Sequence, residues 1–491
     1  MDIDFDTCYR AIQSRDARFD GRFFTGVTST GIYCRPICPA QTPRPQNVRF
    51  YPSASAAEAA GFRACRRCRP DVAPHSPDWN VRADLVGRAL RLIAEGAVDT
   101  DRISGLARRL AVSPRHLHRE LRAEVGAGPL ALARTRRTQT ARLLIDETSM
   151  PLSEIAFVAG FGSIRQFNDS MRVAFGCNPT DLRRNTQPGL AGRGEITLRL
   201  SHRLPLDAAS LLAYLGRRAV PGVEAVIDGR YRRTVALGRS AGTIELEPVA
   251  GKGIVLLRLR LDDLRDLALV VQRCRGLFDL DVDPSAVSDV LSADPILAPI
   301  VAAQPGLRVP GAVDGWEIAV RAVLGQQVSV TAARTLAGRL VAALGEPLPE
   351  PELDLTHLFP QPEAMAEADL SMLGITRARA ETLRGLAAAV AGGDIILDRG
   401  ADREEIETQL LALPGIGRWT ASYVAMRALG DPDAFLPADL GVRRAAEGLG
   451  LDPRPRHLEA YAERWRPWRA YAVLYLWESL SAQTETLSHA G

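Results

Sequence analysis

The sequence is almost without lysine. Lys252 is the only one among 61 basic residues, so arginine carries nearly all of the positive charge, and Schiff-base chemistry through a lysine amine is confined to one position. No run of 18 or more apolar residues is present, which excludes a membrane-spanning helix, and the opening MDIDFDTCYR holds no apolar stretch of the signal-peptide kind. A cytoplasmic protein with no membrane partner is expected. Cysteine is scarce, seven in 491 residues, yet five of the seven fall within residues 1–70. In a reducing compartment such a cluster reads as a metal site or a reactive thiol, not a disulfide framework.

What is present is a long chain with enough apolar residues, 46%, to fill several cores, so three or four domains are expected. The net charge of +3 hides an uneven distribution. Residues 1–81 hold 11 Arg against 8 acidic residues and residues 82–184 hold 17 against 11, which leaves the remainder acidic by 6. The first 184 residues suit a polyanion; the rest must meet one through local features. Two stretches read as linkers, RPDVAPHSPDWN (69–80) and NTQPGLAGRGE (185–195). Between them the apolar spacing is helical throughout. After 195 it alternates, as in EITLRL, YRRTVAL, TIELEPV and GIVLLRLRL, with helices at 207–219 and near 263–276, and from about 287 it is helical again.

Cys34 and Cys38 are answered by Cys65 and Cys68, two short-range pairs of soft ligands. That set suits one tetrahedral Zn2+ at about 2.3 Å per sulfur, in a segment too small to hold itself together easily without a metal. The stretches TGIYCRPIC and NVRFYPSASAAEAAGFRACRRCRPD resemble the N-terminal domain of the Ada adaptive-response family over nearly all of residues 5–71. The resemblance implies that Cys34 is both zinc ligand and acceptor of a methyl group from a DNA methylphosphotriester, the other three cysteines being ligands only. Purely structural zinc is the rival reading. Four thiolates on a divalent cation carry −2 and one methylation leaves −1, which eases repulsion from phosphate. Arg35, Arg63, Arg66, Arg67 and Arg69 flank the ligands as candidate backbone contacts. Cys8, Cys177 and Cys274 have no partner at ligand spacing and read as small apolar residues.

ISGLARRLAVSPRHLHRELRAEVG (103–126) has the rhythm of a helix-turn-helix, Ser113 capping and Pro114 opening its second helix; LSEIAFVAGFGSIRQFNDSMRVAFGCNP (152–179) repeats it, with Gly160 to Gly162 as turn and Ser163 as cap. With a joining helix at about 129–146 and the ending Phe175, Gly176, Pro179, Arg183, the two copies resemble the AraC-type DNA-binding domain. Such a pair can enter successive major grooves about 34 Å apart. Arg115, His116 and Arg119, then Ile164, Arg165, Gln166 and Asn168, are the expected readers; Leu117, Leu121, Phe167 and Met171 are packing.

In LLALPGIGRWTASYVAMRAL (410–429) a turn with Gly415 and Gly417 joins two helices, so that backbone amides are open to a phosphate. Alone it could be any nonspecific DNA-binding hairpin. With FLPADLGV, ERWRPWRAYAVLYLW and IAVRAVLGQQVSV it resembles the AlkA-type 3-methyladenine glycosylases of the helix-hairpin-helix superfamily, over about 195–480. The resemblance implies that Asp439 is catalytic and that Trp419, Tyr423 and Trp477 line the base pocket; a bare helix N-cap is the plain alternative for Asp439, and core packing for the aromatics. An alkylated purine is cationic and leaves without a general acid, so one carboxylate suffices, the base being flipped out of the stack. Strand-cutting relatives carry a lysine where Trp419 stands, so a monofunctional enzyme is implied. Gln326 and Gln327 occupy the loop where relatives insert a leucine wedge, and either Gln327 or Val328 could fill the gap left by the base.

The expected architecture is multidomain α+β: a small zinc-bound α/β domain (1–75), an all-α double helix-turn-helix domain (80–185), a small antiparallel α+β subdomain (195–286) and an all-α glycosylase domain (287–484). The expected activity is release of alkylated bases, joined to methyl acceptance and promoter reading, with double-stranded DNA and RNA polymerase as partners of a monomer at the nucleoid. The rival is a transcription regulator whose glycosylase-like half is inactive and only binds DNA.

Overall fold

Residues 4–73, 84–184, 195–352 and 354–489 are described by the structure, a computed structural model. The first segment is a four-stranded sheet in the order Val48–Tyr51, Phe24–Val27, Ile32–Cys34, Arg63–Ala64, antiparallel except for its last pair. Helix Phe5–Ser14, capped by Asp4, lays Cys8, Ala11 and Ile12 on Phe23 and Val48. That core is very small for a free-standing domain. Burial, then Asp4, pushes the Cys8 thiol up to about 12, and burial does the same to Cys274, so both are inert packing residues. The first part of the Pro-rich stretch after Cys68 departs from a linker: Pro70–Val72 is a 3-10 turn, anchored by Arg69 to Asp71 and Asp146, each at 2.6 Å. Residues 74–80 of that stretch, and 185–194 of the second, lie outside the described residues.

Residues 84–184 are helical and, as described, contain no strand. The joining helix is Pro129–Glu147, and the two recognition helices, Pro114–Val125 and Ile164–Phe175, start where Ser113 and Ser163 accept from His116 N and Gln166 N, each at 3.2 Å. Each such cap satisfies one orphan amide, worth about 1 kcal/mol. Gly160 supplies the left-handed turn (φ +92°) before the second helix, where a Cβ would collide with Asp99.

Residues 196–261 form a five-stranded antiparallel sheet in the order Ile196–Ser201, Ile254–Leu261, Ser240–Val249, Arg230–Leu237, Glu224–Ile227, with helix Ala208–Arg218 against it. The helical body that follows carries one two-stranded ribbon, Pro347–Glu352 with Leu355–His357, beyond the all-helical expectation; the amides of Thr356 and His357 donate to Gly222 O and tie it to the sheet domain. Sheet and body share a buried ionic network in which Arg233 meets Glu317 (2.5 Å) and Glu224 (3.3 Å), and Arg321 meets Glu317 (2.8 Å) and Glu224 (3.0 Å). Removing any one partner strands a buried charge.

The parts contact one another. Tyr33 and Thr135 both donate to Glu58, at 2.9 and 2.6 Å, across the boundary between the first segment and the joining helix. Ser53 Oγ donates to Val125 O (2.8 Å) and Arg66 to Phe175 O (3.4 Å), at the last turns of the two recognition helices. Arg88, Arg91 and Arg109 fasten the helical middle to Asp398, Arg399, Gly400 and Asp402.

Candidate functional site

The four cysteine sulfurs of residues 34, 38, 65 and 68 lie within 4.8 Å of one another. Tetrahedral bonds of about 2.3 Å to a common ion place sulfurs roughly 3.8 Å apart, so the set fits zinc. Cys34 ends strand Ile32–Cys34; it, Cys38 and Cys65 are half-buried, and Cys68 is buried. The Arg35 amide donates to Cys68 Sγ at 3.3 Å, and amides of Ala40 and Cys68 approach Cys38 and Cys65. No such amide serves Cys34 among the hydrogen bonds of the described residues. The Arg35 side chain turns inward, donating to Asp20 (2.8 Å) and Cys68 O (3.2 Å), so it builds the site's wall; Arg63, Arg66 and Arg67 are exposed.

On the helix-turn-helix units the expected readers stand outward: Arg115, Arg119, Ile164, Arg165 and Gln166 are exposed, His116 and Asn168 half-exposed, while Leu117, Leu121, Phe167 and Met171 are buried. The Arg165 side chain is 94% exposed, with only a 3.9 Å approach to Asp169.

The third site begins at the hairpin between Arg403–Ala412 and Arg418–Arg427. Gly415 sits at φ +85°, and a Cβ there would lie 2.0 Å from Thr382 Oγ1. Gly417 caps the second helix without a side chain, leaving its first amides open to an anion. Gln326, expected at the DNA, holds the hairpin: its Nε2 donates to Gly415 O and Thr420 Oγ1, both at 3.0 Å, while Arg379 donates to its carbonyl at 2.7 Å. Gln327 next to it is exposed in the left-handed region (φ +56°), and Val328 is 37% exposed.

Asp439 caps helix Leu440–Gly448, its Oδ1 accepting from Val442 N at 2.9 Å. It does more than cap. Trp477 Nε1, from the last helix, donates to Oδ1 at 2.9 Å, and Trp419 Nε1, from the hairpin helix, donates to Oδ2 at 2.8 Å. The Trp419 and Tyr423 rings stack, one helical turn apart, with centroids at 5.3 Å and planes at 15°. The structure thus brings all four residues to one place. It adds Tyr214, from the sheet domain, stacked on Trp477 at 6.4 Å and 18° and hydrogen-bonded through its phenol to Arg427. Sequence reasoning missed Tyr214 because its only local signal is an aromatic in an amphipathic helix some 200 residues before the hairpin.

Four family models match the chain: the metal binding domain of Ada (7–71), a helix-turn-helix domain (106–185), the AlkA N-terminal domain (197–314) and the HhH-GPD superfamily base excision DNA repair proteins (320–470). The probable bifunctional transcriptional activator/DNA repair enzyme AlkA of Mycobacterium tuberculosis is 52% identical over 98% of this chain and 97% of its own length. The chain belongs to this family. Within the AlkA-type bifunctional family its two halves have separate relatives. The DNA-3-methyladenine glycosylase 2 of Escherichia coli is 37% identical over 57% of this chain and 95% of its own. The bifunctional transcriptional activator/DNA repair enzyme Ada of the same organism is 39% identical over 28% of this chain and 37% of its own. A solved 3-methyladenine DNA-glycosylase from Archaeoglobus fulgidus, 23% identical, covers 57% of this chain and 96% of its own at a TM-score of 0.50, which shows the shared fold. Together with the donor set, the metal-binding match makes the four-cysteine cluster a Zn2+ site. Among the described residues no helix is long and apolar enough to cross a membrane.

Proposed function

We propose that this protein is a DNA alkylation-damage response protein whose glycosylase half hydrolyses the N-glycosidic bond of alkylated bases of the 3-methyladenine type. The observation that carries the reading is the convergence of two indole N–H groups on the Asp439 carboxylate beside the glycine hairpin. Two indoles from separate helices converge on Asp439, which a bare N-cap does not require. With a flipped cationic base between the rings, the C1′–N bond breaks, its electron pair leaves on the base and cancels the base's charge, and the carboxylate stabilises the cationic sugar. Water then adds at C1′ and gives its proton to Asp439 or to solvent. The rings favour a cationic base by about 0.5–2 kcal/mol per contact. Gly415 and Gly417 take the backbone phosphate, and Gln327 or Val328 fills the gap in the duplex. With Trp419 where a Schiff-base lysine stands in strand-cutting relatives, the product is an intact strand with an abasic site.

Cys34 is the methyl acceptor. Bound zinc keeps the thiols ionised near neutral pH. The Cys34 sulfur attacks the methyl carbon of a phosphotriester, the S–C bond forms as the C–O bond breaks, and the electron pair returns to phosphate as a diester anion. Arg115, Arg119, Arg165 and Gln166 read promoter DNA, Arg35 supports the metal site, and RNA polymerase is the partner of a monomer acting at the nucleoid. The units are 1–75, 80–185, 195–286 and 287–484.

Incubating the protein with methylated duplex and measuring free-base release tests the enzyme. No release by wild type, or unchanged release by Asp439→Asn, would leave the rival reading, a regulator with an inert DNA-binding half. Mass spectrometry after exposure to methylphosphotriester DNA tests the acceptor, expecting about +14 Da on the Cys34 peptide.

A further inference from the structure

A pocket for cationic bases has, in this protein, a cation behind its wall. Arg427 is buried (4% exposed) at the end of the hairpin helix, and the four groups that accept from it are the carbonyls of Pro310 and Gly311 and the phenol oxygens of Tyr214 (2.6 Å) and Tyr423 (2.8 Å). No carboxylate pairs with it among the described residues. Glu224, the acid that acts on it from a distance, is already engaged by Arg233, Arg321 and the Tyr231 hydroxyl. Arg218 lies over the Tyr214 ring at 3.8 Å, and Arg321 adds further positive charge. Guanidinium groups held in a low-dielectric interior call for an anion.

We propose that Tyr423 is that anion: as a tyrosinate it is the counter-ion of Arg427, and its negative ring makes it the contact by which the pocket selects positively charged bases over neutral ones. The inference rests on the glycosylase reading above and deepens it. Burial leads to the same residue. Both phenol oxygens accept from Arg427. Tyr214 is buried against Arg218 and Trp477, whereas Tyr423 is only half-buried, so the Tyr423 proton is the one with a way out to solvent. Burial raises Tyr214, whereas Tyr423 is brought down to about 8: burial acts upward on it, but Arg427, then Arg218, the Tyr214 hydroxyl and Arg321 outweigh it. The proton therefore stays on Tyr214 and leaves Tyr423. The groups facing Tyr423 are these, with Glu224 and Glu317 behind Arg321 and Asp439 across the Trp419 indole. Ionisation releases the proton to solvent, and a cationic base stacked between Tyr423 and the indoles favours the ionised state.

Two measurements on the full chain test this. A tyrosinate absorbance titration of wild type should show one of the nine tyrosines ionising near pH 8; the early step should vanish in Tyr423→Phe and move upward in Arg427→Met. The ratio of kcat/KM for cationic 3-methyladenine to neutral ethenoadenine, in otherwise identical duplexes, should rise on the order of tenfold between about pH 6.5 and about pH 9 and stay flat in Tyr423→Phe. Absence of an early tyrosinate, or the same course of the ratio in Tyr423→Phe, overturns the proposal. If Tyr423→Phe releases no base, the titration alone decides. If wild type releases neither base, the glycosylase reading itself fails; if it releases both at a pH-independent ratio, only the tyrosinate does.

Discussion

At the scale of single residues, the Asp439 carboxylate holds one main-chain and two indole donors, so its position is fixed before substrate arrives. Trp477→Phe keeps a ring but removes one donor; base release is expected to fall about tenfold with little change in melting temperature, the loss of one oriented hydrogen bond to a charged group. Single-turnover assays with thermal melts would separate that from unfolding. Asp314 gives a pH prediction. Burial, then the like charge of Glu317, raises it to about 6 from an unfolded value of 3.8. The contribution of a raised acid is complete below the unfolded value and is lost as pH climbs through the folded one. Asp314→Asn, which preserves the cap on Trp316 N, should therefore gain stability relative to wild type between about pH 4 and about pH 6.5, read as the difference in melting temperature at the two ends.

At the scale of elements, the hairpin depends on Gly415, whose left-handed φ and contact with Thr382 leave no room for a side chain. Gly415→Ala should lift the turn off Thr382, cost about 1–2 kcal/mol locally and weaken DNA binding with a shallower salt dependence, because phosphate contacts are lost. The zinc segment, with its handful of core residues, is expected to unfold under a chelator, abolishing methyl acceptance while base release persists. The hairpin, the repeated helix-turn-helix caps and the cysteine pairs were all legible in sequence, since each is specified within about 30 residues by turn glycines, caps and ligand spacing. The edge strand Glu224–Ile227 and the ribbon at Pro347–Glu352 were not: both are short, and the ribbon runs through three prolines, so pairing decides them and periodicity does not.

At the scale of the whole molecule, the zinc segment touches the last turn of each recognition helix and, through Glu58, the helix that joins them. Thr135→Val removes one donor to Glu58 without changing shape. Promoter affinity should fall and base release should stay at the wild-type rate, measured by fluorescence anisotropy and a glycosylase assay on the same preparation; equal promoter affinity would show that the contact carries no coupling.

By itself the sequence determined which chemistries this protein can hold: four thiols at ligand spacing, two capped reader helices, a glycine hairpin and an acid at a helix start, each a local pattern. Only the tertiary structure decided that Asp439 is gripped by two indoles, that Gln326 braces the hairpin, and that Tyr214 and Arg427 join the aromatic cluster beside it. Those contacts join residues tens to hundreds of positions apart, and a contact of that kind is selected by packing and by the pairing of buried charge, for which neighbouring residues in the chain carry no signal.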